Sequence, residues 1–249
     1  MNRVINLFVA VTLLSTTAIA QEYEDLKSLY VDAKYDKLVD KAEKYTKKEK
    51  TMNDALPYLY MAKGLFKISQ DEKYVADEKG KAVYGNAEMD ALNKYQMYKK
   101  KDKGNVYRDI SDPFIAEFKS QMYEETQNFY DTKVFKKSLA NAKKMMKIEP
   151  ENIGCLIIKG LSEIEMKNKT EGKKNIELAV TTIKAIKSID DMSKEDQGLM
   201  EYALMQYANF LVAAKDFSGA KSAITLGYQY FKGDDHKTYE ELYNKIVNG

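Results

Sequence analysis

Residues 214–231 read AKDFSGAKSAITLGYQYF, with small residues set between aromatic ones. Together with the apolar face formed by residues 204–211, this stretch gives a helix–turn–helix pattern. The residues that mark its two faces are Leu204, Tyr207, Ala208 and Leu211, then Phe217, Ala220, Ile224 and Gly227. Small residues at a helix crossing let two backbones approach closely. An aromatic ring can then fill the wedge between this helix pair and the next helix. The stretch therefore predicts two helices that cross closely.

This pattern resembles the tetratricopeptide repeat. Ala208 and Ala220 occupy the small positions of that repeat, and Phe217 occupies the aromatic position that opens its second helix. Gly227 stands where the repeat usually has alanine. The resemblance implies stacked helical hairpins that bury their core between neighbours and leave an extended concave face.

Other copies of the pattern match less well. Phe135 opens a second candidate that closes at Pro150, and the following helix supplies Gly160 at a small position. Tyr35 opens a third candidate, and Gly64 marks the close-packing position of a fourth. Phe135 and Phe217 lie 82 positions apart, which exceeds two 34-residue repeats by 14. At least one repeat therefore carries an insertion or is a longer helical hairpin.

Helical periodicity continues through nearly all of the chain after Gln21 and predicts roughly eleven helices. Three prolines and twelve glycines provide few interruptions, which favours long helices with short turns. We expect an all-α fold of antiparallel helical hairpins stacked as a tetratricopeptide-like α-solenoid over 21–249. The predicted irregular connections lie near 69–86 and 99–112, and a capping helix is predicted over 235–247. Within Ser111-Asp112-Pro113, Asp112 can cap a helix that starts at Pro113.

The first 20 residues, MNRVINLFVAVTLLSTTAIA, predict a cleaved secretory signal peptide. Arg3 gives a positive start, the run from Val4 to Leu14 is apolar, and Ala18-Ile19-Ala20 is a small-residue cleavage site that leaves Gln21 first. An uncleaved membrane anchor is the alternative, although the apolar run is shorter than the ~20 residues that span a bilayer. We expect an exported protein, periplasmic or secreted, with no membrane span after cleavage.

The balance of charge argues against nucleic acid as a partner. Charged residues make up 31% of the chain, but the formal net charge is only +2. Nucleic-acid binding generally needs a concentrated basic face. One basic cluster consists of Lys99-Lys100-Lys101 with Lys103, followed by Tyr107 and Arg108. It has two interpretations: a contact for anionic lipid or polysaccharide, or a solvated helix end beside the negative pole of its own dipole.

Catalytic, cofactor and metal residues are not predicted from any motif. The chain lacks phosphate-binding glycine loops and the nucleophile elbow G-x-S-x-G. The single cysteine, Cys155, lies in an apolar run, which predicts a buried hydrophobic residue. The alternative is an exposed, activated thiol. The single histidine, His236, follows Asp234 and Asp235. The two acids predict a helix start, and the alternative is that all three residues bind a metal.

These observations predict a non-catalytic adaptor or scaffold that binds a protein or peptide on the concave face. Composition and the short signal are similar to exported repeat proteins of the Bacteroidota, which implies a place in a bacterial envelope. Two alternatives remain open. A helical enzyme acting on envelope polysaccharide would have a deep cleft with several acids of raised pKa. A binder of a small apolar ligand would have one enclosed pocket lined by tyrosine and methionine.

Overall fold

The computed structural model describes residues 23–74 and 84–249. The predicted signal peptide lies outside these residues. The described ranges contain eleven α-helices, two short 3₁₀ helices and no strand, which confirms the all-α class. The helices are α1 (Glu24–Val31), α2 (Tyr35–Lys47), α3 (Ala55–Gln70), α4 (Ala87–Lys101), α5 (Arg108–Asp131), α6 (Phe135–Met145), α7 (Ile153–Glu165), α8 (Lys169–Ala185), α9 (Lys194–Ala213), α10 (Phe217–Tyr228) and α11 (Lys237–Val247).

The chain divides into two compact units, Met1–Phe114 and Ile115–Gly249, with the boundary inside α5. In the first unit, α3 packs against both α2 and α4, and α1 packs against α2 and α3. Leu38, Leu59 and Leu92 are fully buried between these helices. A Cβ at Gly64 would lie 2.9 Å from Val39 Cγ2, which confirms close packing at that glycine.

In the second unit, each helical hairpin packs against the next. The central helix α7 contacts α6, α8 and α9, while α10 contacts α8 as well as its hairpin partner α9. α11 closes the unit by packing against α10 and α9. Its Tyr239 is fully buried and donates a hydrogen bond of 2.7 Å to the Ile224 carbonyl. α11 thus covers the last hairpin, and the residues just before it, Asp234–His236, form a 3₁₀ turn.

Four of the helical hairpins turn in the same way. The second residue after each first helix has a positive φ although it is not glycine: Ala33, Lys133, Lys167 and Lys215. The next residue then donates its N–H back by five positions, as from Asn168 to the Glu163 carbonyl at 2.8 Å. This arrangement satisfies the last carbonyls of the first helix. The turns at Lys133 and Lys167 lie 34 positions apart.

Small residues lie at the helix crossings. Ala208 and Ala220 are fully buried. A Cβ at Gly160 would lie 2.7 Å from the Gly172 carbonyl oxygen, and one at Gly227 would lie 2.7 Å from Leu204 Cδ1. Side chains at these glycines would force the helices apart, so the close crossings predicted at Gly160 and Gly227 are confirmed.

The predicted helix start at Asp112 is wrong. α5 begins at Arg108 and contains Pro113, so the connection predicted over 99–112 is reduced to 102–107. The cap comes from upstream: Asp102 accepts hydrogen bonds from the N–H groups of Val106 at 2.8 Å and Tyr107 at 3.3 Å. Pro113 removes one hydrogen bond inside the helix.

Two predictions about aromatic side chains are also wrong. Phe217 does not fill the wedge beside the next helix, because 65% of its surface is exposed to solvent. Residues two apart on a helix diverge, which predicts that one of Tyr228 and Tyr230 is exposed. Both are half-buried, because α10 ends at Tyr228 and the helical angle between the two residues no longer applies.

Candidate binding groove

A broad open groove of about 750 Å³ runs along one face of α10. Its polar residues on α10 recur at helical spacing, and the end of α8 supplies the opposite side. The lining consists of Ile183, Lys184, Ser218, Lys221, Ser222, Thr225, Leu226, Tyr228, Gln229 and Lys232. Since α8 and α10 are each the second helix of a hairpin, the groove lies between two second helices.

Local interactions fix the two helices that form the groove. Tyr230 donates a hydrogen bond of 3.1 Å to the Ile186 carbonyl, which ties the segment after α10 to the end of α8. At the other end of α10, the Asp216 carboxylate accepts the N–H of Gly219 at 2.8 Å and caps the helix. These contacts hold the groove residues on ordered helices.

The groove is positively charged. It is lined by Lys184, Lys221 and Lys232, all exposed, and by no acidic residue. In the described ranges none of the three lysines forms an ion pair. Lys221 instead donates to the Val247 carbonyl at the end of α11, at 3.4 Å. The groove therefore presents three ammonium groups without carboxylate partners.

Two hydroxyl groups of the groove, those of Ser222 and Thr225, offer it hydrogen-bond acceptors. Ser222 Oγ donates to the Ser218 carbonyl at 3.0 Å, and Thr225 Oγ1 donates to the Lys221 carbonyl at 2.7 Å. Each hydroxyl proton is thus used within α10, and the oxygen lone pairs remain for an N–H or O–H donor. Half-buried Leu226 provides apolar surface beside them, while Ile183 belongs to the core beneath the groove.

An aromatic stack borders the groove. The ring of Tyr228 lies on that of Tyr243 from α11, with centroids 3.7 Å apart and planes 14° apart. The stack fixes the position of Tyr228, which the sequence could not assign to a surface.

A second polar cluster is buried in the interior of the second unit. Lys119 Nζ lies 2.6 Å from Asp196 Oδ2 and 2.5 Å from Glu149 Oε1. Asp196 Oδ1 accepts hydrogen bonds from Tyr123 at 2.7 Å and Asn152 at 2.8 Å. Burial would lower the pKa of Lys119, but its hydrogen bonds to the Asp196 and Glu149 carboxylates outweigh that effect and raise it. The lysine is therefore held as a cation and is not poised as a base or nucleophile.

Cys155 lies beside this cluster and is fully buried, as predicted. Burial raises the pKa of its thiol well above the ordinary value, and the Asp196 carboxylate adds to the shift. A thiol protonated at neutral pH is a poor nucleophile and metal ligand. Cys155 therefore acts as a small core residue.

His236 contacts Glu201, not a set of ligands. Its Nδ1 lies 2.9 Å from Glu201 Oε2, and Asp234 and Asp235 form a 3₁₀ turn with it. Within the described residues, no three histidine, cysteine or acidic side chains come together as a metal site.

The basic cluster at 99–101 forms the last turn of α4. Lys99 donates to Asn105 at 3.1 Å, and Lys101 donates to Asn53 at 3.3 Å while its ammonium lies 5.1 Å from the Tyr58 ring centroid. Two of its three lysines thus bind neighbouring polar groups of the same unit. Their position favours the helix-end interpretation of the cluster.

Three comparisons were made with known proteins. No family model, curated protein or solved structure matches the chain. None of the helices in the described ranges is both long and apolar enough to cross a bilayer.

Proposed function

We propose that this chain is a non-catalytic adaptor or scaffold of a bacterial envelope that binds a protein or peptide on a surface of its helical array. The open groove beside α10 carries the proposal, because its lysines have no carboxylate partner within the described residues and its walls are ordered helices. An array of helical hairpins offers such extended surfaces for partners. The repeated turns and the close crossing at Gly160 support a tetratricopeptide-like arrangement of the hairpins.

The groove lining also favours binding over hydrolysis. The groove itself has no carboxylate to serve as acid or base. A small apolar ligand requires an enclosed apolar pocket. This groove is open and is lined by lysines and hydroxyl groups.

Export is part of the proposal. It rests on the positive start at Arg3, the apolar run to Leu14 and the small residues at Ala18 and Ala20. Mass spectrometry of the protein from an envelope fraction is expected to find Gln21 as the first residue. A double variant, Ala18→Leu with Ala20→Leu, should retain the leader. A wild-type protein that keeps residues 1–20 would contradict cleavage.

Binding is tested by capture of partners from the cell. The full chain, tagged at its C-terminus through a flexible linker, is expressed in the bacterium that carries it and cross-linked mildly before purification. We expect one abundant envelope protein to be recovered reproducibly. Capture of nothing above an untagged control would contradict the adaptor function.

A further inference from the structure

We infer that the groove beside α10 binds an extended acidic peptide segment of the partner protein, an inference that rests on the proposed function. Charge complementarity indicates the class of ligand. Three ammonium groups line one groove in which no carboxylate balances them. The chain as a whole is close to charge balance, with a formal net charge of only +2.

In the part of the chain that the structure describes, the lysines of the groove differ from many other lysines in having no acidic neighbour. Many exposed lysines elsewhere in the described residues have nearby acids, such as Lys47, which lies 3.0 Å from Glu43. Lys184 and Lys232 have none in those ranges, and Lys221 reaches only a backbone carbonyl at 3.4 Å. An incoming carboxylate would therefore displace no internal ion pair. It would gain an attraction that the folded chain leaves unused.

The hydroxyl oxygens favour a peptide over a pure polyanion. Because Ser222 and Thr225 use their protons within α10, they offer acceptors to the groove. Backbone N–H groups of a peptide can donate to them, whereas phosphate oxygens cannot. The amide of Gln229 can pair with either backbone group. Half-buried Leu226 gives an apolar side chain of the ligand a place to pack.

The dimensions fit a short segment. From Ser218 to Gln229 the helix advances by about 16 Å at 1.5 Å per residue. An extended peptide covers that length with about five residues at 3.3 Å each. Acidic residues along such a segment can reach Lys221 near one end and Lys232 near the other.

The test uses the full chain and two fluorescein-labelled decapeptides. One alternates glutamate with leucine, and the other has glutamine in place of every glutamate. Fluorescence anisotropy is expected to show binding of the acidic peptide, weakening with added salt, and none of the glutamine peptide. Each of Lys184→Gln, Lys221→Gln and Lys232→Gln should weaken binding roughly two- to fivefold, the range for an exposed charge pair. The triple variant should weaken it by at least roughly tenfold.

A matched control makes the same change of charge outside the groove. Lys173, Lys174 and Lys194 are exposed in the same unit and do not line the groove. Their triple change to glutamine should leave binding within roughly twofold of the wild type. Equal loss in both triple variants would mean diffuse attraction and overturn the inference. Failure of the acidic peptide to bind, or equal binding of the glutamine peptide, would overturn it as well.

Polygalacturonate serves as a competitor of a different class. If it binds more tightly than the acidic peptide and depends on the same three lysines, the ligand is an acidic polysaccharide and the peptide inference is overturned. The groove triple variant is also used in the partner capture. Loss of the captured protein supports the inference. Retention overturns it while leaving the adaptor function in place, and capture of nothing by the wild type counts against the function itself.

Discussion

Lys119 and Asp196 lie 77 positions apart in the chain, yet Lys119 Nζ is 2.6 Å from Asp196 Oδ2 in the interior of the second unit. Removing one member of a buried ion pair leaves the other charged and without its partner. Lys119→Met is therefore expected to lower the free energy of unfolding by about 3–5 kcal/mol. The measurement is urea unfolding followed by circular dichroism.

The control for this prediction is the exposed pair of Lys47 and Glu43, where Lys47→Met should cost less than about 0.5 kcal/mol. Combining Lys119→Met with Asp196→Asn should cost less than the sum of the two single changes, because the double variant removes the deeply buried charge at Asp196 and leaves only the more exposed Glu149 without its lysine. Strict additivity would show that the two side chains do not stabilise each other.

Two glycines test the close crossing of α7 and α8. A Cβ at Gly160 would lie 2.7 Å from the Gly172 carbonyl oxygen, whereas one at Gly198 would meet no atom within 4 Å. Gly160→Ala should therefore lower the free energy of unfolding by about 1–3 kcal/mol through overpacking. Gly198→Ala should raise it by about 0.5–1 kcal/mol, since alanine favours the helix. The same sign for both variants in chemical unfolding would contradict the packing at Gly160.

The helices and their close crossings could be predicted because they depend on local patterns. Helical periodicity and the lack of a side chain at Gly64 or Gly160 are visible in the sequence itself. The start of α5 could not be predicted, because Asp112 and Pro113 have the sequence pattern of a helix start. The cap is instead supplied by Asp102, several residues upstream.

The groove depends on long-range geometry that the sequence does not reveal. Lys184 and Lys221 come from different helices, and only the packing of α8 beside α10 brings them into one groove. The polar face of α10 was visible as Ser218, Lys221, Ser222 and Thr225 at helical spacing. A surface helix commonly has such a face, so the spacing alone could not distinguish a binding surface from ordinary solvation.

Acid should weaken the first unit through Asp25. Burial would raise the pKa of this carboxyl, but hydrogen bonds from Lys41 at 2.6 Å and Tyr45 at 2.9 Å outweigh it and hold the pKa below the ordinary value. A lowered pKa stabilises the fold above the unfolded-state value of about 3.9, and this contribution is lost as the pH falls through the folded-state value. Asp25→Asn should thus cost up to about 1 kcal/mol at pH 6.

The difference between wild type and Asp25→Asn should shrink as the pH is lowered from 6 towards 3 in urea unfolding. Tyr45→Phe removes one of the two side-chain donors and should give an intermediate pH dependence. A difference that stays constant over this range would exclude Asp25 ionisation as its cause.

The shared helix turn stores strain that glycine can relieve. Lys167 has a φ of 67°, a left-handed conformation that costs a residue with a Cβ about 1–2 kcal/mol. Lys167→Gly should raise the melting temperature, because glycine adopts this conformation without that cost. In the exposed middle of α8, Lys174→Gly should lower it, since glycine weakens a helix interior by about 1 kcal/mol. A fall in melting temperature for Lys167→Gly would mean that the lysine side chain contributes more than the strain costs.

Two phenylalanines distinguish the observed packing of the last hairpin from the wedge that the repeat pattern predicts. Phe217 is 65% exposed, whereas Phe231 is fully buried, with its ring centroid 5.4 Å from that of Tyr239. Phe231→Ala should lower the free energy of unfolding by about 3–5 kcal/mol, because it opens a cavity under α11. Phe217→Ala should change it by less than about 0.5 kcal/mol, as expected for an exposed position. If chemical unfolding gave Phe217→Ala a cost like that of Phe231→Ala, the aromatic ring at the start of α10 would be packed against another element, as a tetratricopeptide repeat requires.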